Sequence, residues 1–491
     1  MGAEPIATAV LLTAFGVLLA VSVGLSRASA RLGLPVALLF LGVGVLAGSE
    51  GVGGIAFDDY QFAYRVGTAA LVLILFDGGL NTSFDAARPV LAPSAVLATL
   101  GVLCIAALVG VAAHLLGVSW PLSLLLGAIV SSTDAAAVFA MLSASGTRLR
   151  KRVGLTLEVE SGLNDPMAVI LTSVLTAALI GERTSVLSIG GHVLLQMVVG
   201  AAVGYLTARV GRWLILRIRL PAAGLYPAFS LAIACLSYGV ATLLDGSGFL
   251  SVFVTGMTLG SGALPHAVGI RRVHVALGWL SQVVMFLLLG LLVSPSSLMK
   301  VAPIGFALAL FLAFVARPLV VTLALKAFAY PWPEAAFVGW VGLRGAVPIV
   351  LATIPVMAGA PAARELFDVV FFIVVVGAFV PGGTVTRMAR FFEVESHAPP
   401  PPSALVEVDT LAPQGDELRA YFVSSDLAVC GATLAEVPFP QGAAVSMLER
   451  AGSLIAPSGS TRLEAGDYVY VIAPVEDRLH VELLFGLAEE H

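Results

Sequence analysis

From Ile6 to about Phe392 the chain is a succession of apolar segments joined by short polar stretches. A bilayer core takes about 20 apolar residues of helix, and backbone at that depth must satisfy its own hydrogen bonds. Together these constraints make the chain an all-α polytopic membrane protein. The segments fall at roughly 6–26, 34–49, 62–80, 89–115, 120–143, 155–180, 186–208, 223–244, 247–262, 275–294, 299–326, 334–358 and 365–388. That is thirteen spans, of which the second and ninth are short. Only 12% of residues are charged, against about 25% in a soluble domain. A net charge of −5 argues against nucleic acid as a partner. Cys104, Cys235 and Cys430 form no CxxC pair, so neither a disulfide framework nor a zinc site is expected. The first basic residue, Arg27, follows the first apolar run, which therefore reads as a spanning helix rather than a signal peptide.

Charge placement fixes the expected orientation. With the N-terminus outside, sixteen lysines and arginines, among them Arg148, Arg150, Lys151, Arg152, Arg209, Arg212, Arg217 and Arg219, lie on the cytoplasmic side. Four (Arg65, Arg183, Lys300 and Arg364) lie opposite. This positive-inside asymmetry puts the C-terminus in the cytoplasm. Residues 1–396 form the membrane domain, and 397–402, with Pro399 to Pro402, form a stiff linker. Residues 403–491 carry 14 acids and 4 bases, and alternate short apolar runs with turn residues, as expected of a small cytoplasmic α/β domain.

Seven ionisable residues stand out in mid-span: Asp77, Asp134, Glu158, Glu160, Asp165, Arg317 and Arg344. Such groups are costly at membrane depth and mark an ion pathway or a buried partner. In the fifth span, Ser131-Ser132-Thr133-Asp134 sets hydroxyls and a carboxylate in a row. These compete with helical backbone bonding, and an unwound stretch there frees carbonyls to coordinate a cation. The twelfth span is interrupted at Gly342-Leu343-Arg344-Gly345-Ala346-Val347-Pro348, where proline removes a donor and two glycines loosen the helix. Interrupted spans in corresponding halves point to a secondary transporter's binding site, with spans 1–6 and 8–13 as halves and the seventh as connector. In the sixth span Ser161 and Asp165 are i,i+4 and share a face, while Glu160 and Asn164 share the neighbouring one. Arg344 is the expected partner of Glu160, since a lone buried charge is costly; that pair serves as a brace. Glu158 and Arg317 receive no role.

Four motifs in order, Phe76-Asp77-Gly78-Gly79-Leu80, Ser132-Thr133-Asp134-Ala135, Glu160-Ser161-Gly162-Leu163-Asn164-Asp165 and Gly342-Leu343-Arg344-Gly345-Ala346, resemble those of the monovalent cation:proton antiporter-1 family. The bacterial NhaP-type branch is the most similar, and the resemblance covers residues 1–395. It implies an NhaA-like inverted repeat with two discontinuous helices. It also implies a homodimer in the cell (inner) membrane, with an interface domain (spans 1–3 and 8–10) and a mobile core domain (4–6 and 11–13). By this resemblance Asp165 carries the ion or proton, Thr133, Asp134 and Ser161 complete the cation site, and Glu160 pairs with Arg344. The resemblance also implies a water-mediated role for Asp77, a position at which this chain departs from relatives that have glutamate there. Asn164 replaces the second aspartate of electrogenic cousins, which implies electroneutral one-for-one exchange.

Within the tail, Gly431, Leu434, Glu436, Phe439-Pro440, Arg450, Gly452 and Gly466-Asp467 resemble the C-terminal lobe of RCK (TrkA-C) domains, with no preceding GxGxxG lobe. Such lobes dimerise and bind small regulatory ligands. The expected activity is exchange of K+ for H+ in cation and pH homeostasis, with Na+/H+ exchange as the alternative; K+ or Na+, H+ and membrane lipid are the partners. No cofactor and no enzymatic activity are expected. An intramembrane aspartyl protease built on Asp134 and Asp165 is disfavoured, because their contexts are Thr-Asp and Asn-Asp.

Overall fold

The computed structural model describes residues 3–32, 35–181, 186–218, 220–262, 264–396, 417–440 and 442–486. Pro399–Pro402, Arg183 and Arg219 lie outside the described residues. The chain divides into a helical unit and a smaller strand-bearing unit.

The helical unit runs α1 (Ala3–Leu32), α2 (Val36–Ala47), α3 (Tyr60–Asn81), α4 (Phe84–Leu115), α5 (Trp120–Ile129), α6 (Ala135–Ala144), α7 (Lys151–Leu179), α8 (Val186–Arg217) and α9 (Leu225–Leu243). It continues with α10 (Gly248–Gly260), α11 (Ala267–Leu291), α12 (Pro295–Ala327), α13 (Trp332–Trp340), α14 (Val347–Met357), α15 (Ala363–Phe379) and α16 (Val385–Phe391). Among the described residues nine helical stretches are long and apolar enough to cross a membrane, and α2, α5, α6, α10 and α14 are shorter apolar helices. The hydrophobic effect does not drive helix association in lipid; close packing does. Glycine supplies it where α3 meets α10: a Cβ at Gly79 would strike the backbone of Phe253, Gly256 and Met257, and one at Gly256 would strike Phe76 and Gly79. Gly44 of α2 and Gly290 of α11 meet in the same way.

Two long helices carry a π turn, Leu97–Gly101 within α4 and Leu312–Ala316 within α12. Each of these helices precedes a broken pair, α5/α6 and α13/α14, and each broken pair precedes a long helix, α7 and α15.

The strand-bearing unit is an antiparallel sheet in the order β1-β4-β2-β3, from β1 (Glu417–Phe422), β2 (Ala444–Arg450), β3 (Ser453–Ile455) and β4 (Tyr468–Ala473). The helix α17 (Arg478–Phe485) lays Val481 and Phe485 on one face, against Leu448, Val469 and Val471. Arg450 forks onto the buried Asp467 through Nε and Nη2, each at 2.8 Å, and also reaches Glu464. The hydrogen bond to Asp467 raises the Arg450 guanidinium above its ordinary value.

Candidate functional site

The two broken pairs cross. Residues 130–134 separate α5 from α6, and 341–346 separate α13 from α14. The non-helical stretches are tied together where the Asp134 amide donates to the Leu343 carbonyl at 2.8 Å. Helix ends left inside the unit expose partial charges, positive at N-termini and negative at C-termini. Side chains of opposite charge meet them. Asp134 Oδ1 accepts from the Ala137 amide at 3.1 Å and caps α6. Arg344 Nε donates to the Val130 carbonyl at 3.1 Å and Nη1 donates to Gly342, so one guanidinium serves the C-terminal ends of both α5 and α13.

The long helix α7 lays a polar face against this crossing. Asn164 Nδ2 donates to Thr133 Oγ1 at 2.6 Å. Ser161 Oγ donates to the Thr133 carbonyl at 2.8 Å and accepts from the Ala135 amide at 3.2 Å. Asp165 is 7% exposed, and its Oδ1 is buried without a hydrogen-bond partner among the described residues. The Ser132 hydroxyl lies close enough to interact with the Asp165 carboxylate yet completes no hydrogen bond. Buried polar atoms are ordinarily paired, so the unpartnered Asp165 carboxylate oxygen and the unpartnered Ser132 hydroxyl are exceptions at this site.

Glu160 does not pair with Arg344. Its carboxylate takes a bidentate bond from Arg317, Nη1 to Oε1 at 2.9 Å and Nη2 to Oε2 at 3.1 Å, with both residues buried. Arg344 is drawn off by the two carbonyls, whereas Arg317 follows directly on the π turn of α12 and has no closer anion. The ion pair expected between Glu160 and Arg344 is thus replaced by Glu160–Arg317. Asp77 stands apart from the crossing: Asn81 Nδ2 donates to its Oδ1 at 3.1 Å, and Gly278 lies beside it. Glu158 accepts from Thr82 Oγ1 at 2.6 Å, joining α7 to the end of α3. Thus Thr133, Asp134, Ser161, Asn164 and Asp165 come together, while Asp77 joins them through no hydrogen bond. Ser132 and Arg317 are not among the site residues expected from the sequence, although both carry a signal there, one as part of the helix-breaking run and the other as an arginine in mid-span.

The glycines of the second crossing stretch are sized to it. A Cβ at Gly345 would collide with the Asp134 carboxylate, and one at Gly342 with the Arg317 guanidinium. Gly345→Ala is expected to push Asp134 off the α6 cap, lowering stability by about 1–3 kcal/mol and slowing transport. Gly78→Ala, with nothing within 4 Å of its added methyl, is the neutral control. Melting temperatures and vesicle transport rates of the two variants check this, and equal values for both would show that the close fit at Gly345 is immaterial.

Residues 17–391 match the family model described as "Sodium/hydrogen exchanger, transmembrane", and residues 418–486 match the TrkA-C domain. The chain is 44% identical over 398 residues to the K(+)/H(+) antiporter NhaP of Alkalimonas amylolytica, covering 81% of this chain and 69% of that one. It is 41% identical over 480 residues to the K(+)/H(+) antiporter NhaP2 of Shewanella oneidensis, covering 96% of this chain and 83% of that one. Among solved structures, that of the sodium proton antiporter MjNhaP1 from Methanocaldococcus jannaschii superposes with a TM-score of 0.67 at 22% identity, covering 77% of this chain and 97% of that one.

Proposed function

Because the chain belongs to the sodium/hydrogen exchanger family, it is a cation:proton antiporter, and we propose that it exchanges K+ for H+ one for one through Asp165. The observation that carries this reading is the orphan Asp165 carboxylate oxygen beside the Ser132 hydroxyl. Charge accounting supports the stoichiometry. Asp134, Glu160 and Asp165 stand at the crossing with Arg317 and Arg344, so the ionised group carries a single net negative charge. A net charge is expensive away from water, and one cation or one proton cancels it. Two bound cations, or a cation with a proton, would leave a net positive charge. Asn164, which bonds Thr133 and cannot titrate, keeps a second proton carrier out of the site.

In this reading Asp165 holds the cation with Ser132 and the Thr133–Asp134 stretch supplying oxygens, and Ser161 and Asn164 hold that stretch in place. Asp77 acts at a distance through water. The K+ preference draws on the two relatives named as K(+)/H(+) antiporters and on the TrkA-C tail. Thirteen spans arranged as an inverted repeat follow from counting α2 and α10 as short spans and each broken pair as one. The succession of π-turn helix, broken pair and long helix, met twice in the same order, supports the repeat. The N-terminus outside, the inner membrane and a homodimer complete the arrangement. Residues 1–396 are then the exchanger and 397–402 the linker. Residues 403–491 form a cytoplasmic lobe that takes a small regulatory ligand, and the exchanger serves cation and pH homeostasis.

Everted vesicles containing the full chain and a pH-sensitive dye test this directly. After an imposed proton gradient, K+ is expected to dissipate it at lower concentration than Na+, equally with or without a membrane potential. Dissipation by Na+ alone would assign the other ion, and a response that follows the potential would overturn one-for-one exchange.

A further inference from the structure

The last turns of α8 carry Tyr205, Arg209, Trp213 and Arg217 at successive i,i+4 positions, so all four stand on one stripe. The Arg209 guanidinium lies 6.0 Å over the Tyr205 ring and that of Arg217 lies 5.4 Å over Trp213. Both rings are exposed, Tyr205 at 50% and Trp213 at 55%, as are Leu206 and Val210 alongside them. Neither Arg209 nor Arg217 meets a carboxylate among the described residues. Arg212, on another face, is committed elsewhere, with its guanidinium filling the space over Gly262.

We propose that this stripe binds the phosphate headgroup of an anionic phospholipid in the cytoplasmic leaflet. The inference rests on the orientation given above, which sets this end of α8 at the cytoplasmic surface. Aromatic rings at headgroup level are amphipathic anchors, and the exposed leucine and valine want hydrocarbon. A guanidinium held over a ring at cation–π range can still turn its N–H fork onto a phosphate. A second copy of the chain fits less well, since a twofold contact here would bring like charges together. Anionic lipid supplies the missing countercharge.

The test uses the full chain in detergent, measured by native mass spectrometry and by thermal melting with added phosphatidylglycerol, phosphatidylcholine or inorganic phosphate. Phosphatidylglycerol is expected to be retained and to raise the Tm, phosphatidylcholine and inorganic phosphate are not, and high salt weakens the effect. R209Q/R217Q is expected to retain phosphatidylglycerol about tenfold less well, each basic residue near the surface adding to headgroup attraction. R209K/R217K recovers only part, because an ammonium keeps the charge and loses the fork. Exchange in phosphatidylcholine vesicles serves as the folding control. If the glutamine variant fails that control, Y205L/W213L is used, which keeps both charges and removes the rings beneath them, with a severalfold loss of retention expected. Equal retention of the two lipids by the wild-type chain, or undiminished retention by the variants, overturns the proposal. So does an equal effect of inorganic phosphate, or a change of oligomeric state in place of lipid loss.

Discussion

Asp165→Asn is expected to abolish exchange of every cation while leaving the protein folded and inserted. The amide matches the carboxylate in size, so packing on α7 is kept. What disappears is the ability of a side chain 7% exposed to bear a charge that a cation or a proton cancels. Because Oδ1 has no hydrogen-bond partner to lose, melting temperature should hold or rise. Asp134→Asn is the informative contrast. Asparagine caps a helix about as well as aspartate, so the α6 cap survives and exchange falls without vanishing. Dye-reported exchange in vesicles, scaled to the amount of inserted protein, gives the comparison. Asp165→Asn activity above a tenth of wild type, a rise of less than about 1.4 kcal/mol in the barrier, would remove Asp165 from the carrier role.

Glu160→Gln and Arg317→Gln are each expected to destabilise the protein by about 3–5 kcal/mol, because each strands a buried charge. Arg344→Gln should cost less, about 1–3 kcal/mol, since it leaves the Glu160–Arg317 fork intact and the hydrogen bonds it removes are to backbone carbonyls. The paired replacement Glu160→Gln/Arg317→Gln should recover most of the loss. Equilibrium unfolding in detergent, run as double-mutant cycles, is the measurement. Coupling of Glu160 to Arg344 as strong as its coupling to Arg317 would mean that the fork is not the brace.

The breaks between α5 and α6 and between α13 and α14 were legible because their causes are local. A run of serine, threonine and aspartate competes with its own backbone, and a Gly-x-x-Gly-x-x-Pro stretch cannot hold a regular helix. The face shared by Ser161 and Asp165 was legible for the same reason, since helical spacing alone decides it. The partner of Glu160 was not, because periodicity says which way a side chain points on its own helix and nothing about which distant helix supplies the guanidinium. Arg344 was attractive as the arginine within the second break, yet that position is also where it is captured by the Val130 and Gly342 carbonyls. Ser132 was hidden by a similar ambiguity. Its hydroxyl explains the unwinding as well as it explains a ligand, and only its orphaned state beside Asp165 separates the two. The sheet of the tail was legible from turn residues and alternation, but its order β1-β4-β2-β3 is a long-range property that no local pattern carries.

The π turn at Leu312–Ala316 amounts to one residue of surplus length inside an otherwise regular helix. Each residue of an α-helix advances the azimuth by about 100°, so the surplus shifts the phase of everything that follows it. A heptad or helical-wheel numbering begun at Pro295 is correct up to the turn and out of step beyond it. Arg317, the first residue past the turn, faces Glu160 only in the shifted phase. A homologous helix of regular pitch would have to supply its counterpart from the neighbouring position. An alignment carried without a gap through 312–316 would then equate Arg317 with a residue that points elsewhere. Homologues of this helix are therefore better matched by which side chain reaches the glutamate than by column.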